Sequence, residues 1–324
     1  MLCLGIESTA HTFGVGIVDD KGKILANEKE SFRSKHSGLK PQEAADFHLA
    51  NACKVLKRAL AKAKLSIKDV DVFAFARGPG LGPCLKVGAT AARTLSLLHN
   101  KPLAAVNHCV AHIEIGKLLT KAKDPVVVYV SGGNTQIIAL EKNRYRIFGE
   151  TLDIGIGNML DSFGRTLGLG FPAGPILDKM YFKGKKYIEL PYTVKGTDLA
   201  FAGLQTAAEK LIGKVKREDL VYSLLQNAFA MLTEVTERAL AYTERNEVLL
   251  VGGVASSRAL RSMLSKMCKA RDAKLFVPRQ EFCVDNGAMI AWLGMLEFLH
   301  GKSTPVEKSA VKQKLRLDDT EIKW

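Results

Sequence analysis

The sequence predicts an α/β protein built as two duplicated domains, each on a mixed sheet. Three observations carry that prediction. Two segments share one strand–turn–strand–turn–strand plan: LCLGIESTAHTFGVGIVDDKGKILANE from Leu2 and VVVYVSGGNTQIIALEKNRYRIFGE from Val126. After each, strand-length apolar runs alternate with stretches of helical spacing. The composition is that of a folded globular chain: 324 residues, 47% hydrophobic and 25% charged, long enough for two domains.

In the first copy an apolar strand from Leu2 meets the turn Glu7-Ser8-Thr9-Ala10-His11. A second apolar strand follows, then the polar turn Asp20-Lys21-Gly22 and a third strand. Pro41 to Lys64 has helical spacing, with Ala44, Phe47, Ala50, Leu56 and Leu60 apolar among charges. Val70 to Ala76 reads as a buried strand, and Gly88 to Leu98 as a helix of small residues. The second copy repeats the plan, with turns at Ser131–Thr135 and Lys142-Asn143-Arg144. Beyond it come a helix around Leu220 to Arg245, a strand Glu247 to Val251, a helix Ser257 to Ala270 and a strand Lys274 to Val277. Asp285 to His300 reads as a long apolar closing helix, and the polar tail from Lys302 is expected to wrap the surface. The expected first domain is residues 1–105, closed by the last helix and tail from about 290 to 324; the second is 106–289. A cleft is expected between the halves, where ligands favour the carboxyl ends of strands.

No apolar run approaches the ~20 residues of a membrane helix. Glu7 falls inside the first apolar run with no cationic stretch before it, so no signal peptide is expected. Six scattered cysteines with no CxxC pair argue against a thiolate zinc site and for free thiols in a reducing cytosol. The formal net charge of +14 favours an acidic partner, nucleic acid first, over a merely lysine-rich solvated surface. The basic residues are dispersed: Lys54, Lys57 and Arg58, then Lys183, Lys185 and Lys186, then Lys214, Lys216 and Arg217.

Ser131-Gly132-Gly133-Asn134-Thr135 is a turn whose glycines let backbone approach a ligand and whose amides and hydroxyls suit phosphate oxygens. The matching turn of the first copy, with Glu7, Ser8, Thr9 and His11, is a candidate phosphate-side loop; the alternative is two ordinary Gly/Ser turns. Two facing phosphate hairpins are the plan of the actin-like, sugar-kinase-like ATPases. Val251-Gly252-Gly253-Val254-Ala255-Ser256-Ser257 runs from a strand into a helix with serine as its expected N-cap. Asp161 and Asp178 flank the stiff loop Gly170–Pro175 and suit either ribose hydroxyls or capping. The rigid Arg77–Pro83 loop either lines a substrate site or turns the chain.

His108 and His112 lie four apart on one helical face. In HExxH metalloproteases a glutamate follows the first histidine as general base. Here Cys109 stands there, and Glu114 points off the histidine face, which disfavours a protease. A divalent metal needs oxygen ligands to complete its shell. On spacing alone, packing histidines stand ahead of a metal site.

Taken together, GIESTAHT, RGPGLGP, NHCVAHIEIGKL, YVSGGNTQ, RIFGETLDIGIGNMLD, ELPYTVKG, LVGGVA and DNGAMIAW span nearly the whole chain. With them the sequence resembles the TsaD/KEOPS catalytic-subunit family, the tRNA N6-adenosine threonylcarbamoyltransferases, in its archaeal and eukaryotic branch. The resemblance implies an actin-like ATPase (ASKHA) fold. It implies a metal, Fe(2+) ahead of Zn(2+), on His108, His112, Tyr129 and Asp285, the last on the DNGAMIA helix. It implies an adenine nucleotide, threonylcarbamoyl-adenylate or ATP, on Tyr129, Val130, Ser131, Gly132, Gly133, Asp161, Gly174, Asp178 and Ser257.

The implied reaction passes a threonylcarbamoyl group to N6 of the adenosine 3′ of the anticodon in tRNAs reading codons that begin with adenine. The implied partners are tRNA and KEOPS subunits, including a small kinase-like protein and a small dimerising subunit, in the cytoplasm and without a membrane. Some positions depart from the family pattern: Ser257 stands where Asn is common, Asp178 where Glu is common, Ala173 in the usual glycine pair, and Ala200 and Ala202 where hydroxyl residues are common. Two other readings remain: an ATPase or sugar-kinase-type enzyme of the same fold, and a non-enzymatic nucleic-acid-binding scaffold.

Overall fold

Short runs of β-branched and apolar residues, bounded by polar turns, form the strands that open each half of the chain. In a computed structural model, which describes residues 1–33 and 40–324, the first are β1 (Leu2–Glu7), β2 (Thr12–Asp19) and β3 (Ile24–Ser31). Helix α1 (Pro41–Ala63) has proline in its first turn, where a missing N–H costs nothing, and ends on Lys64 in the left-handed conformation. Next come β4 (Val72–Gly78), α2 (Gly82–His99), β5 (Leu103–Asn107) and α3 (His108–Thr120). The second run is β6 (Val126–Val130), β7 (Thr135–Glu141), β8 (Arg144–Glu150), α4 (Ile156–Thr166) and α5 (Gly174–Tyr181). A two-strand ribbon follows, β9 (Val194–Lys195) and β10 (Asp198–Leu199), then α6 (Ala202–Glu209) and α7 (Arg217–Thr243). The chain finishes with β11 (Glu247–Val251), α8 (Arg258–Ala270), β12 (Lys274–Phe276), α9 (Gln280–Cys283) and α10 (Gly287–Leu299).

The duplication is plain in the topology. One sheet runs β3-β2-β1-β4-β5, the other β8-β7-β6-β11-β12. In each, the first strand of the meander is antiparallel to the second and parallel to a strand delivered by a helix.

The chain divides into two units. The first holds Met1–Leu119, Lys142–Tyr145 and Val284–Trp324; the second holds Thr120–Glu141 and Arg146–Cys283. The boundaries differ from those expected at 105/106 and 289/290, because residues 106–119 and 284–289 belong to the first unit. The cause is local. Asn107, the last residue of β5, caps the start of α3 by accepting from the amides of Cys109 (2.9 Å) and Val110 (3.3 Å). Its amide also donates to the Arg316 carbonyl (2.9 Å), so strand, helix and tail are tied together.

At the other end, α10 lies directly on β1 and β2. Gly5 and Gly16 are register partners, and a Cβ on either would sit 2.1 Å from a backbone nitrogen of α10, of Ala291 or Ala288 respectively. Only glycine permits that approach. The buried side chains of Met289, Ile290 and Leu293 then contribute roughly 1.5–3 kcal/mol each.

Helix α10 begins at Gly287, not at Asp285 as expected. Asn286 is its extended N-cap and accepts from the Met289 amide (3.0 Å), which leaves Asp285 outside the helix. The polar tail does wrap the first unit: Arg77 donates to the carbonyls of Ala310 (3.0 Å) and Lys308 (2.9 Å), and Arg93 to Ser309. The Arg77–Pro83 loop is therefore a dock for the tail. No helix among the described residues is long and apolar enough to cross a membrane.

Candidate metal centre and nucleotide loops

His108 opens α3 and His112 follows one turn later, so both rings project from the same face. They meet at 86° with centroids 4.8 Å apart. Asp285, just before the α10 cap, places Oδ1 3.5 Å from Nε2 of His108 and 3.3 Å from Nε2 of His112. Among the described residues these three form the one cluster of His, Cys, Asp or Glu groups fit for an ion, with all donor atoms within 4.8 Å. Both histidines are buried, and the Asp285 side chain keeps 18% exposure, which leaves the site open to solvent on the carboxylate side.

The donors fit a metal. Ligands bonded at about 2.0–2.2 Å to one ion sit roughly 3 to 3.5 Å apart, as Asp285 does from each histidine. Glu7, fully buried at the end of β1, accepts from Nδ1 of His108 (2.9 Å). A carboxylate behind an imidazole fixes its tautomer and turns Nε2 toward the ligand site. The other Glu7 oxygen accepts from the Thr9 amide (2.6 Å) and hydroxyl (2.5 Å).

The charges follow the same order. Burial opposes a proton on His108, but the Glu7 and Asp285 carboxylates outweigh it and push the imidazole up to about 9. Burial holds His112 below the ordinary histidine value, against its hydrogen bond to Asp285. Burial also works against charge on Asp285, yet His112 and His108 draw its carboxyl far below the usual carboxylate range. The pocket thus carries an anionic Asp285, a neutral His112 and a proton on His108 where a cation would sit.

The expected phosphate role of the first turn meets an obstacle. Glu7 and Thr9 are turned inward and spent on each other and on His108, and Ser8 is buried beside Gly88. A buried carboxylate there repels phosphate. His11 contributes to the field that holds Asp285 ionised.

In the second unit the Ser131–Thr135 turn is braced from behind. The carbonyls of Ser131 and Gly132 accept from the first amides of α4, Gly157 (3.1 Å) and Asn158 (2.9 Å). The Asn134 amide donates to the Ser131 hydroxyl (3.1 Å). Gly132 and Gly133 are exposed, and a Cβ on Gly133 would meet nothing within 4 Å. A rigid, open glycine turn suits close approach by a phosphate. Tyr129 and Val130, the last two residues of β6, are fully buried.

Asp161 and Asp178 act as braces. Asp161, on α4, accepts from the Ala173 amide (2.7 Å) at the start of α5. Asp178, on α5, accepts from the Ser257 hydroxyl (2.6 Å) and the Ala259 amide (3.1 Å) at the start of α8. Ser257 is the N-cap of α8, as expected, and accepts from the Leu260 amide (3.2 Å). Gly174 begins α5 and faces open space. Gly252 holds φ +94°, where a Cβ would strike the Val130 carbonyl at 2.2 Å, so the end of β11 lies on the end of β6. Glu7's place behind His108 was not foreseen from the sequence; its position inside an apolar strand was the available signal.

The fold and family follow from comparison. The fold is shared with T. kodakarensis HypF (TM-score 0.68, 15% identity, 93% of this chain and 48% of that one). It is shared also with the Acidaminococcus fermentans (R)-2-hydroxyglutaryl-CoA dehydratase component A (TM-score 0.59, 12% identity, 91% and 98%). These likenesses establish the actin-like ATPase fold. A tRNA N6-adenosine threonylcarbamoyltransferase of Thermococcus sibiricus is 55% identical over 326 residues, covering 100% of both chains. A probable bifunctional tRNA threonylcarbamoyladenosine biosynthesis protein of Methanothermobacter thermautotrophicus is 50% identical over 100% of this chain and 61% of its own length. The family described as TsaD, tRNA N6-adenosine threonylcarbamoyltransferase, matches residues 23–292. The chain belongs to the TsaD family of tRNA N6-adenosine threonylcarbamoyltransferases.

Proposed function

We propose that this transferase passes the threonylcarbamoyl group of threonylcarbamoyl-adenylate to N6 of adenosine 37, the nucleotide 3′ of the anticodon, in tRNAs reading codons that begin with adenine. N6 attacks the carbamoyl carbon, the carbon–oxygen bond to the adenylate phosphate breaks, AMP leaves with the bond's electrons, and N6 gives up a proton. The observation that carries the reading is the His108–His112–Asp285 cluster, its two histidines buried and His108 backed by Glu7, inside a chain matched end to end by transferases of this name.

His108, His112 and Asp285 would hold a divalent ion; two imidazoles and one carboxylate suit iron or zinc. When bound, the ion supplies Lewis-acid polarisation to an oxygen of the activated donor. Glu7 keeps Nε2 of His108 aimed at the site, and Asp285 offsets the ion's charge. Tyr129 is proposed as a further ligand. The Ser131–Gly133 turn would position the adenylate phosphate, and Gly174, Asp178 and Ser257 would set the nucleoside side. Because AMP is a good leaving group, the chain's main work is orientation.

The proposed setting is the cytoplasm, within a KEOPS complex holding a small kinase-like protein and a small dimerising subunit.

A reconstituted transfer assay tests the reading. The chain and its partner subunits are mixed with threonine, bicarbonate, ATP, an adenylate-forming enzyme and an unmodified tRNA transcript, and the nucleosides are read by mass spectrometry. Wild type should give threonylcarbamoyl adenosine. His108→Ala/His112→Ala should lose it, with loss of bound metal, in protein whose circular dichroism spectrum shows it folded. No product from wild type, with partners shown active beside a homologous subunit, would sink the transferase reading and promote nucleotide hydrolysis.

A further inference from the structure

The net charge of the chain is unevenly placed. Residues 179–217 hold nine Lys and Arg against three Asp and Glu, a net +6 out of +14 for the whole chain. They lie in the second unit. Lys183, Lys185, Lys186, Lys214, Lys216 and Arg217 are all exposed. Among the described residues, none of these six has a carboxylate within 4.0 Å. On α1 the pattern differs: Lys54, Arg58 and Lys62 are paired with Glu28 and Glu30.

The fold gathers the two basic runs at one place. The buried carboxylate of Asp219, in the first turn of α7, accepts from the amides of Lys185 (2.7 Å) and Lys186 (3.1 Å). Gly184 packs against Tyr222 and the Glu218 carbonyl. The loop after α5 is thereby fixed beside the segment that carries Lys214, Lys216 and Arg217. Two flat rings stand among the cations, Tyr187 at 54% and Phe182 at 51% exposure. Tyr187 is held still by its hydroxyl on Asn227 (2.8 Å).

We infer that this surface, at the start of α7 and the loop 182–187, binds the phosphate backbone of the tRNA substrate. An exposed field of unpaired cations stores electrostatic energy that only a polyanion releases. Five of the six cations are lysines, a residue depleted at protein–protein interfaces, whereas protein–nucleic acid interfaces are strongly positive. The exposed Tyr187 ring offers a base a stacking surface, and Phe182 carries the Arg258 guanidinium over its ring at 4.6 Å, one more cation at this face. The inference rests on the transferase reading and extends it by assigning the substrate's docking face.

The test is fluorescence anisotropy of the full chain with a labelled, unmodified tRNA transcript reading a codon that begins with adenine, across a salt series. Lys183→Gln/Lys185→Gln/Lys186→Gln is compared with Lys266→Gln/Lys269→Gln/Lys274→Gln, exposed lysines of the same unit carrying the same charge change. The first variant should bind on the order of tenfold more weakly at 0.1 M salt. It should also lower the slope of log affinity against log salt by about 2, since each lysine neutralises close to one phosphate. The control should stay near wild type. Equal losses in both variants would reduce the effect to net charge and overturn the patch. An unaltered slope in the first variant, with the partner subunits lost from it instead, would make this face a protein dock and overturn the RNA assignment. A wild-type chain that binds no tRNA at any salt would fail the transferase reading itself.

Discussion

The carboxylate of Glu7, at the end of β1, lies 2.9 Å from Nδ1 of His108, at the start of α3. Two segments a hundred residues apart in the chain thus share one buried proton, and Nε2 of His108, the proposed ligand nitrogen, is aimed by a strand. Glu7→Gln keeps the shape of the side chain and removes the charge that favours this tautomer. Metal affinity should fall about 10- to 100-fold. Competition against a chelator of known affinity, read by metal content, checks it. Unchanged affinity would mean that α3 alone sets the ring.

Asp178 and Ser257 touch, and the resemblance read from the sequence marks both as departures from the family pattern. The shorter Asp178 accepts from the shorter Ser257 hydroxyl at 2.6 Å, and both cap α8. Ser257→Ala should cost about 1 kcal/mol of stability as a lost N-cap. Combined with Asp178→Ala, the total should fall short of the two single costs by about 1 kcal/mol, because each change strands the same bond. Denaturant unfolding of the four proteins measures it. Strict additivity would show that the Ser257–Asp178 hydrogen bond contributes nothing to stability.

Much of this was legible in the sequence because it was periodic. The paired meanders, α1, β11 and the Ser257 cap stand where alternation, helical spacing and a capping serine put them. What was not legible depended on contacts distant in sequence. Asp285 falls outside its helix because Asn286 takes the capping position, and both residues are short and polar. Helix α5 opens in a glycine- and proline-rich stretch that reads as loop; the Asp161 carboxylate, from α4, holds its start. The Glu7–Thr9 turn resembles the glycine turn of the second unit in position, but the Glu7 and Thr9 side chains are spent on each other and on His108, contacts that no local pattern displays.

The contact of α10 with the first sheet gives a sharp stability test. Gly16→Ala would place a methyl 2.1 Å from the Ala288 nitrogen and 2.3 Å from the Gly287 carbonyl carbon, both backbone atoms that cannot rotate away. Helix or sheet must then move, at a cost of roughly 3 kcal/mol or more, above the usual range for overpacking by one methylene. Thermal unfolding should show a large drop, and bound metal should fall with it, since Asp285 is anchored by the same helix start. Gly133→Ala, with open space around it, should leave the transition nearly unmoved. A mild effect of Gly16→Ala would mean that α10 can lift from the sheet without loss.

Glu297 gives a test in pH. It is buried near the end of α10, with one oxygen accepting from Lys302 at 2.6 Å. Burial raises its carboxyl above the ordinary value, and Lys302 and Arg77 only partly oppose this. A raised native value means that the folded chain holds the proton more tightly than the unfolded one. Ionised Glu297 therefore costs stability. The cost is absent below the unfolded value of about 4.3, grows as pH rises through the native value, and is constant above it. Glu297→Gln removes that cost, and Lys302, whose side chain is 42% exposed, can rehydrate its ammonium. The variant should match wild type near pH 4 and be the more stable of the two at pH 7. Urea unfolding at the two pH values decides it: a variant less stable at pH 7 would show that the Lys302 pair outweighs the burial of the charge.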